Sequence, residues 1–423
     1  MRAKTQQLEL HMQQQISVSE RFRAMFASQG EMQLYDRTLF WLIASLLAIG
    51  LIMVASASLP AAERLTGNPF HFVMRHGVYL VIALFTAAVV LMVPLERWER
   101  RNALLCIVGL ALLCLVLLVG HTVNGATRWL RLGPFTFQVA EAAKLFFIVY
   151  MASYLCRKNH EIRTRSRGFI KALMVLGAYT ILLLFQPDLG TVVVLAGVAV
   201  GMLFIAGAKI MQFVSILILM AFIFVVLIIA EPYRMRRVTS FMNPWDDPFG
   251  SGFQLTQSLM AFGRGDWAGQ GLGNSVQKLQ YLPEAHTDFI VSILGEELGF
   301  VGVMLVLTLV FWVVLKALLL GQRALRQKRP FAGYVAHGIG ILFALQATVN
   351  MGAAAGLIPT KGLTLPLVSY GGTSLIVMTA AAALLLRIDY EVRTGFKSDH
   401  EKEQAGVKKP QSRSQKKPRR KPA

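Results

Sequence analysis

Residues 231–299 read EPYRMRRVTSFMNPWDDPFGSGFQLTQSLMAFGRGDWAGQGLGNSVQKLQYLPEAHTDFIVSILGEELG, and the reading of this stretch decides how the chain is built. It is the longest polar interruption in an otherwise apolar sequence. A flexible linker of this length would be biased to Ser, Gly or charge and poor in aromatics. This one holds Trp245, Trp267, Tyr233, Tyr281, Phe241, Phe249 and Phe253. Such side chains need a surface to pack on, so the stretch predicts an ordered loop domain. Ordered loops of this length are usually functional.

Outward from the loop, the 423-residue chain is 55% hydrophobic and 16% charged, with a mean hydropathy of +0.53. A soluble protein of this size cannot hide that much apolar surface. A membrane span needs about 20 predominantly apolar residues. Ten runs qualify, near 39–58, 78–94, 103–120, 142–156, 170–186, 189–207, 211–230, 289–316, 332–355 and 367–387. The first follows a polar 38-residue segment and is too long for the apolar region of a cleaved signal peptide. Gly and Ala recur at helical spacing, without strand alternation, so the spans read as helices. The expected fold is an all-α polytopic membrane protein. It has ten transmembrane helices and a large ordered extracytoplasmic loop, 231–288, between helices 7 and 8. The domains expected are a cytoplasmic N-terminal tail 1–38, a membrane domain 39–390, and a basic, disordered cytoplasmic tail 391–423.

Basic residues retained on the cytoplasmic side set the orientation. Of the 43 Lys and Arg, 32 fall in the N-terminal tail, the C-terminal segment from Arg387 onward and the loops 95–101, 157–171, 208–210 and 316–331. The other 11 fall in the alternate set, which contains 231–288. Both termini are therefore expected in the cytoplasm and the large loop outside. The net charge of +20 belongs largely to the tails. It reads as topology plus attraction to anionic lipid, and no nucleic-acid partner is expected. Cys106, Cys114 and Cys156 lie in apolar runs, where they read as ordinary buried residues in preference to a disulfide framework or a zinc site, which needs clustered, accessible Cys.

Several outer residues run against the charge bias. Arg128, Trp129 and Arg131 lie in HTVNGATRWLRLGPFTFQVAEAAK, residues 121–144, and Lys361 lies in the Pro/Gly-rich GLIPTKGLTLPLVSYGGTS, residues 356–374. Cations kept outside suit a phosphate or carboxylate partner. Trp129 by itself is more often an interface-belt residue. Glu141 and Lys144 can pair across one helical turn; charges at a span's edge mark either a functional site or a structural ion pair. Asp188, after Gln186 and Pro187, is placed to cap the next helix. The 356–374 segment reads as a re-entrant element lining a cavity. Gly295–Gly299 and Gly352–Gly356 are small-residue steps that let helices approach.

Within the large loop, GQGLGNS lacks the strand-to-helix context of a nucleotide-binding fingerprint, which excludes that reading. No clustered His/Cys set marks a metal and no G-x-S-x-G marks a hydrolase. The sequence marks no certain cofactor; a divalent cation is compatible with it, without a ligand cluster to hold it. Glu284 and Asp288, four apart after Pro283, would share one face of a helix starting there. Glu296 lies about 12 Å further along such a helix, too far for a paired-carboxylate glycosidase. Glu296 and Glu297 read instead as buried partners of cations. A boundary carboxylate at Asp288, with His286 beside it and Arg234, Arg236, Arg237, Arg264 and Lys278 around it, suits another task. It can act as base toward a hydroxyl while the cations hold a phosphorylated leaving group.

NPWDDPFGSGFQLTQSLMAFGRG, GQGLGNSVQKLQYLPEAHTDFI, GEELG and LPLVSYGG, with NGATRWLRLG and QPDLGT, resemble the SEDS family of peptidoglycan glycosyltransferases across residues 36–390. The PEAHTDF form, with Ala285, is similar to the cell-division branch; the elongation branch tends to carry Arg there. The sporulation branch is close to the division branch. The resemblance implies polymerisation of lipid II, with undecaprenyl pyrophosphate leaving and a sugar 4-hydroxyl attacking. It places the family's essential loop Asp on Asp288. It also implies residence in the bacterial inner membrane at the division septum, beside a class B penicillin-binding transpeptidase of the FtsI-like kind and other divisome proteins. The chain departs from the family at Gln138-Val139-Ala140-Glu141, where a Pro often precedes the Glu by two. The catalytic candidates are thus Asp288 and Glu284. The substrate-binding candidates are Arg128, Trp129, Arg236, Arg237, Arg264, Lys278, His286, Glu141, Lys144 and Lys361. A lipid II flippase, or a divisome scaffold, is the alternative.

Overall fold

The computed structural model describes residues 35–123, 126–133, 135–229, 235, 239–279, 281–359 and 362–404. Asp36 starts the first helix, α1 (Arg37–Thr66), by accepting from the amides of Thr38 and Leu39, at 2.9 and 3.2 Å. That satisfies two of the donors a helix start leaves open. Then come α2 (His71–Met92), the short α3 (Leu95–Arg100) and α4 (Asn102–Val119). Three strands follow, β1 (His121–Val123), β2 (Ala126–Leu132) and β3 (Phe135–Gln138). The bundle resumes with α5 (Val139–Thr164), α6 (Ser166–Phe185), α7 (Leu189–Ile205) and α8 (Ile210–Ile229). The large loop contributes α9 (Phe253–Gly265), before α10 (Ile290–Arg326), α11 (Pro330–Ala354) and α12 (Gly372–Gln404).

Among the described residues, α1, α2, α4, α5, α6, α10 and α11 are long and apolar enough to cross a membrane. Their burial sorts them into layers. The apolar windows of α5 and α11 are 83% and 72% buried, against 22–33% for the other five. Helices α5 and α11 are therefore the centre of the bundle, and any polar side chain they carry inward must be paired there. Helix α8 is at the other extreme: Ile210, Met211, Ile218, Phe222 and Ile229 are all exposed. Its contact with α7 includes the Phe204–Phe213 ring pair, 5.0 Å between centroids.

The ends of the helices fall into two groups. At one end, Lys316 of α10 donates to Asp36 at 2.9 Å and Arg393 of α12 stands 3.7 Å from the same carboxylate. Arg163 binds the Ala206 carbonyl there at 3.0 Å. Asp36, Arg163, Lys316 and Arg393 belong to the segments rich in Lys and Arg. At the other end, β3 meets the start of α12, where Gln138 N donates to Thr373 Oγ1 at 3.0 Å.

Four local expectations give way to the structure. The fold is not all-α: the three strands form an antiparallel sheet in the order β1-β2-β3, with Trp129 opposite both His121 and Gln138. Thr127, Trp129 and Arg131 alternate with Arg128, Leu130 and Leu132, a period of two that a short loop reading overlooks. No helix starts at Pro283. Glu284 has a φ of +55°, a left-handed conformation incompatible with a helical turn, and α10 begins only at Ile290 after Phe289 at the N-cap. Helix α12 runs past residue 390 to Gln404, because Glu, Lys and Gln after the span are good helix formers. The fourth concerns what orders the large loop. Trp245, Phe249 and Tyr281 are exposed, Phe249 by 89%, and Trp267 meets the helix only through an edge contact with Phe300, 5.2 Å between centroids, so aromatic packing alone does not hold it.

Polar contacts to α10 hold it instead. Gly299 has a φ of +67° and breaks α10 into two helical runs. Freed by that kink, the carbonyls of Glu296 and Glu297 accept from Gln270 N and Gly271 N, each at 2.9 Å. In return Phe300 N and Val301 N donate to Asp266 and Trp267 carbonyls, at 2.8 and 3.2 Å. A Cβ on Gly299 would lie 2.5 Å from the Trp267 carbonyl oxygen, so both the kink and the close approach require glycine.

Candidate functional site

The loop closes over the bundle through two buried glutamates. Glu296, fully buried, accepts from Arg264 NH1 at 2.9 Å, Val276 N at 3.0 Å, Gln277 N at 3.2 Å and the Ser275 hydroxyl. Glu297, equally buried, accepts from Lys278 Nζ at 2.7 Å and from Ser56 of α1, whose hydroxyl stands 2.7 and 2.8 Å from its two oxygens. Both acids thus have the cationic partners expected of them. Helix α9 is seated by Ser258, whose hydroxyl lies 2.6 Å from the Ala354 carbonyl and 2.6 Å from Ser292 Oγ.

This scaffold brings Asp288 to the mouth of the central helices. Its main-chain carbonyl accepts from Asn350 Nδ2 of α11 at 2.8 Å, and the same nitrogen stands 2.6 Å from the Leu363 carbonyl. The carboxylate lies against Gly362, where an added Cβ would be 3.0 Å from Oδ2. One turn along α11 from Asn350, about 6 Å along the axis, is Gln346. Its Nε2 donates to the Thr364 carbonyl at 3.1 Å and its Oε1 accepts from Lys144 Nζ at 2.9 Å. Lys144 also donates to Glu141 Oε1 at 2.8 Å. Thr364 and Ser374 hydroxyls, 2.8 Å apart, tie the segment to α12.

Lys144 and Glu141 are 1% and 2% exposed. Charges taken this far from water persist because each neutralises the other. Glu141 Oε2 is buried with no hydrogen-bond partner among the described residues, which leaves acceptor capacity directly beneath the mouth. At the rim, the His286 ring stacks on Phe72 of α2, 5.0 Å between centroids, and meets Tyr370 at 5.3 Å. Tyr370 N donates to the His286 carbonyl at 3.0 Å. Burial holds the His286 imidazole below its usual range, with the Glu284 carboxylate pulling the other way.

The structure thus gathers Asp288, His286, Glu141 and Lys144. Glu284 is exposed and its carboxylate accepts from Thr287 Oγ1 at 2.7 Å. Arg128 is engaged by the Gln186–Asp188 turn: Nε donates to the Gln186 carbonyl at 3.1 Å, NH2 binds the Pro187 carbonyl, and NH1 is 3.8 Å from Asp188. Asp188 itself caps α7 by accepting from Thr191 N at 3.4 Å and Thr191 Oγ1 at 2.8 Å. Trp129 is half-buried on β2. Arg236, Arg237 and Lys361 lie outside the described residues. So does most of the 1–38 tail. Among the described residues no group of three or more His, Cys, Asp or Glu is placed to hold a metal. Sequence reasoning missed Gln346, Asn350, Phe72, Tyr370 and Gly362. A signal existed for the first two: they are amides four residues apart inside the apolar run 332–355, and in-span polar residues mark interior contacts.

A helical bundle with a paired Lys–Glu at its centre and an acid held above it by a large loop defines a multi-pass membrane protein with a built polar site at one end. The chain belongs to the cell cycle protein family of FtsW, RodA and SpoVE, whose model matches residues 37–394. It is 56% identical over 376 residues to a protein of Alteromonas naphthalenivorans named probable peptidoglycan glycosyltransferase FtsW, covering 89% of this chain and 73% of that one. It is 57% identical over 360 residues to the Escherichia coli O6:H1 protein of the same name, covering 85% and 87%. Among solved structures it is similar to a chain of a peptidoglycan synthase complex in which polymerization and crosslinking are coordinated. That match has a TM-score of 0.69 and 28% identity, and covers 85% and 98% of the two chains. The rod shape determining protein RodA of Thermus thermophilus matches at a TM-score of 0.62 and 28% identity, covering 84% and 96%.

Proposed function

We propose that the chain is a peptidoglycan glycosyltransferase that polymerises lipid II during septal wall synthesis, with Asp288 as general base. The observation that carries this reading is the placement of Asp288 at the mouth of the two most buried helices, over the Lys144–Glu141–Gln346 group. The acceptor's 4-hydroxyl oxygen bonds to the donor's C1 as the C1–O bond to undecaprenyl pyrophosphate breaks, and the hydroxyl proton passes to the Asp288 carboxylate. Removing that proton as the bond forms is what raises the nucleophilicity of a sugar hydroxyl. Outer cations offset the charge on the leaving pyrophosphate. Arg264, whose side chain is 43% exposed, is assigned this task together with Arg236, Arg237 and Lys361. Arg264 also donates to Glu296 through NH1, but Arg128 and Lys278 are less exposed, at 20% and 7% of the side chain, and are assigned to hold the turn and the loop.

In this reading the chain crosses the bacterial inner membrane ten times, through α1, α2, α4–α8 and α10–α12. The grouping of the Lys/Arg-rich ends on one face supports placing that face and both termini in the cytoplasm and 231–288 outside. The partner is a class B penicillin-binding transpeptidase of the divisome; support comes from the names of the relatives and from the synthase complex with which the fold is shared. The purified chain, with and without that partner, is incubated with lipid II and the glycan products are resolved by gel. Polymer is expected. Transfer of lipid II between leaflets of a vesicle without polymer would favour a flippase and refute the reading.

A further inference from the structure

The carbonyl of Asp288 stands outside the hydrogen-bond ladder of α10. The first carbonyl of that helix to accept from within it belongs to Phe289, which takes Ser292 N at 3.0 Å and Ile293 N at 3.4 Å. Asp288, one residue earlier, turns its carbonyl to Asn350 instead. Asn350 is 1% exposed, and its amide nitrogen serves two acceptors distant in sequence, the carbonyls of Asp288 and Leu363. One side chain on a central helix therefore braces both the residue that carries the carboxylate and the segment that borders it. The orientation of this amide is fixed, because a flip would set its oxygen against two carbonyl oxygens. It holds although Oδ1 is buried without a hydrogen-bond partner among the described residues, an arrangement that costs stability. Gly362, next to Leu363, offers a bare Cα to the carboxylate.

We propose that Asn350 is the positioning residue of Asp288: it fixes the Asp288 main chain relative to Leu363, and Gly362 leaves the space in which the carboxylate meets the acceptor hydroxyl. This rests on Asp288 being the base. Asn350 acts on the geometry of that group and not on the substrate, so its loss lowers turnover and leaves lipid II binding in place. A displacement of about 1 Å at a reacting group is worth on the order of 100-fold in rate.

The test uses the full chain in complex with its transpeptidase partner, with lipid II as substrate. Asn350→Leu keeps the branched shape of the side chain and removes both hydrogen bonds. Gly362→Ala keeps both bonds and presses on the carboxylate. Asp288→Asn is run alongside, and kcat is expressed per folded molecule. The expected result is a kcat lowered by about 100-fold in Asn350→Leu and by about 10-fold or more in Gly362→Ala, with KM for lipid II within about threefold of the parent. A purely structural brace would lower the melting temperature and the folded yield but leave kcat per folded molecule intact; that outcome, with Asp288→Asn inactive, overturns the proposal alone. Full activity of Asp288→Asn overturns the base assignment and this proposal with it. Should Asn350→Leu not fold, Gly362→Ala decides: a parental kcat in that variant overturns the proposal.

Discussion

Replacing Glu296 by Ala tests what orders the large loop. The side chain is fully buried and serves Arg264, Ser275, Val276 and Gln277. Its loss leaves the Ser275 hydroxyl and two main-chain amides without their acceptor, at roughly 1–3 kcal/mol for each group that stays buried. Arg264 adds less, because its side chain is 43% exposed and regains water. These contributions are not additive; removing one member of a buried pair costs about 3–5 kcal/mol in total. At about 1.4 kcal/mol per tenfold, local opening becomes on the order of 10²–10³ times more frequent. Hydrogen exchange of the protein in lipid nanodiscs reads this directly at residues 270–279, with α11 as internal reference. Faster exchange confined to the loop is expected. Unchanged protection at Val276 and Gln277 in Glu296→Ala would refute the claim that this carboxylate organises the loop.

Lys278→Met leaves Glu297 buried without its cation and should destabilise by about 3–5 kcal/mol; adding Glu297→Gln should recover much of the loss in a thermal melt. The His286 imidazole, held below its usual range by burial, takes up a proton at lower pH in the folded protein than in the unfolded chain, where it titrates at about 6.5. Stability is therefore fully present above pH 6.5 and declines as pH falls below it, and His286→Phe should flatten that limb of a melting-temperature series. Ser251→Cys should be labelled by an impermeant thiol reagent in spheroplasts; labelling only after permeabilisation would reverse the topology. Arg128→Ala should lower stability by roughly 1–3 kcal/mol, since two carbonyls of the 186–188 turn lose a charged donor. An unchanged melt would return Arg128 to the substrate-binding set.

The helices were legible because hydropathy alone defines them, and the kinship with the family is carried by long loop motifs. Glu296 and Glu297 were legible as buried acids that require cations. The sheet was not, because its alternation spans a few residues flanked by turn signals. The absence of a helix at Pro283 was not, because nothing in Pro-Glu-Ala-His announces a left-handed Glu284. The aromatic content of the loop misled about mechanism: Trp245 and Phe249 point to solvent, and order comes from hydrogen bonds to a kinked helix. Asn350 and Gln346 were visible as residues but not as site members, since their roles depend on α11 being central and on where residues 362–364 cross it.

The central claim is that Asp288 removes the proton from the attacking hydroxyl. Asp288→Asn keeps the size of the side chain and removes its basicity. In a single-turnover assay with purified complex and saturating lipid II, the variant should bind its partner and melt as the parent does, yet polymerise about 10²–10⁴-fold more slowly. Polymerisation at a near-parental rate would contradict the account and pass the role to Glu284.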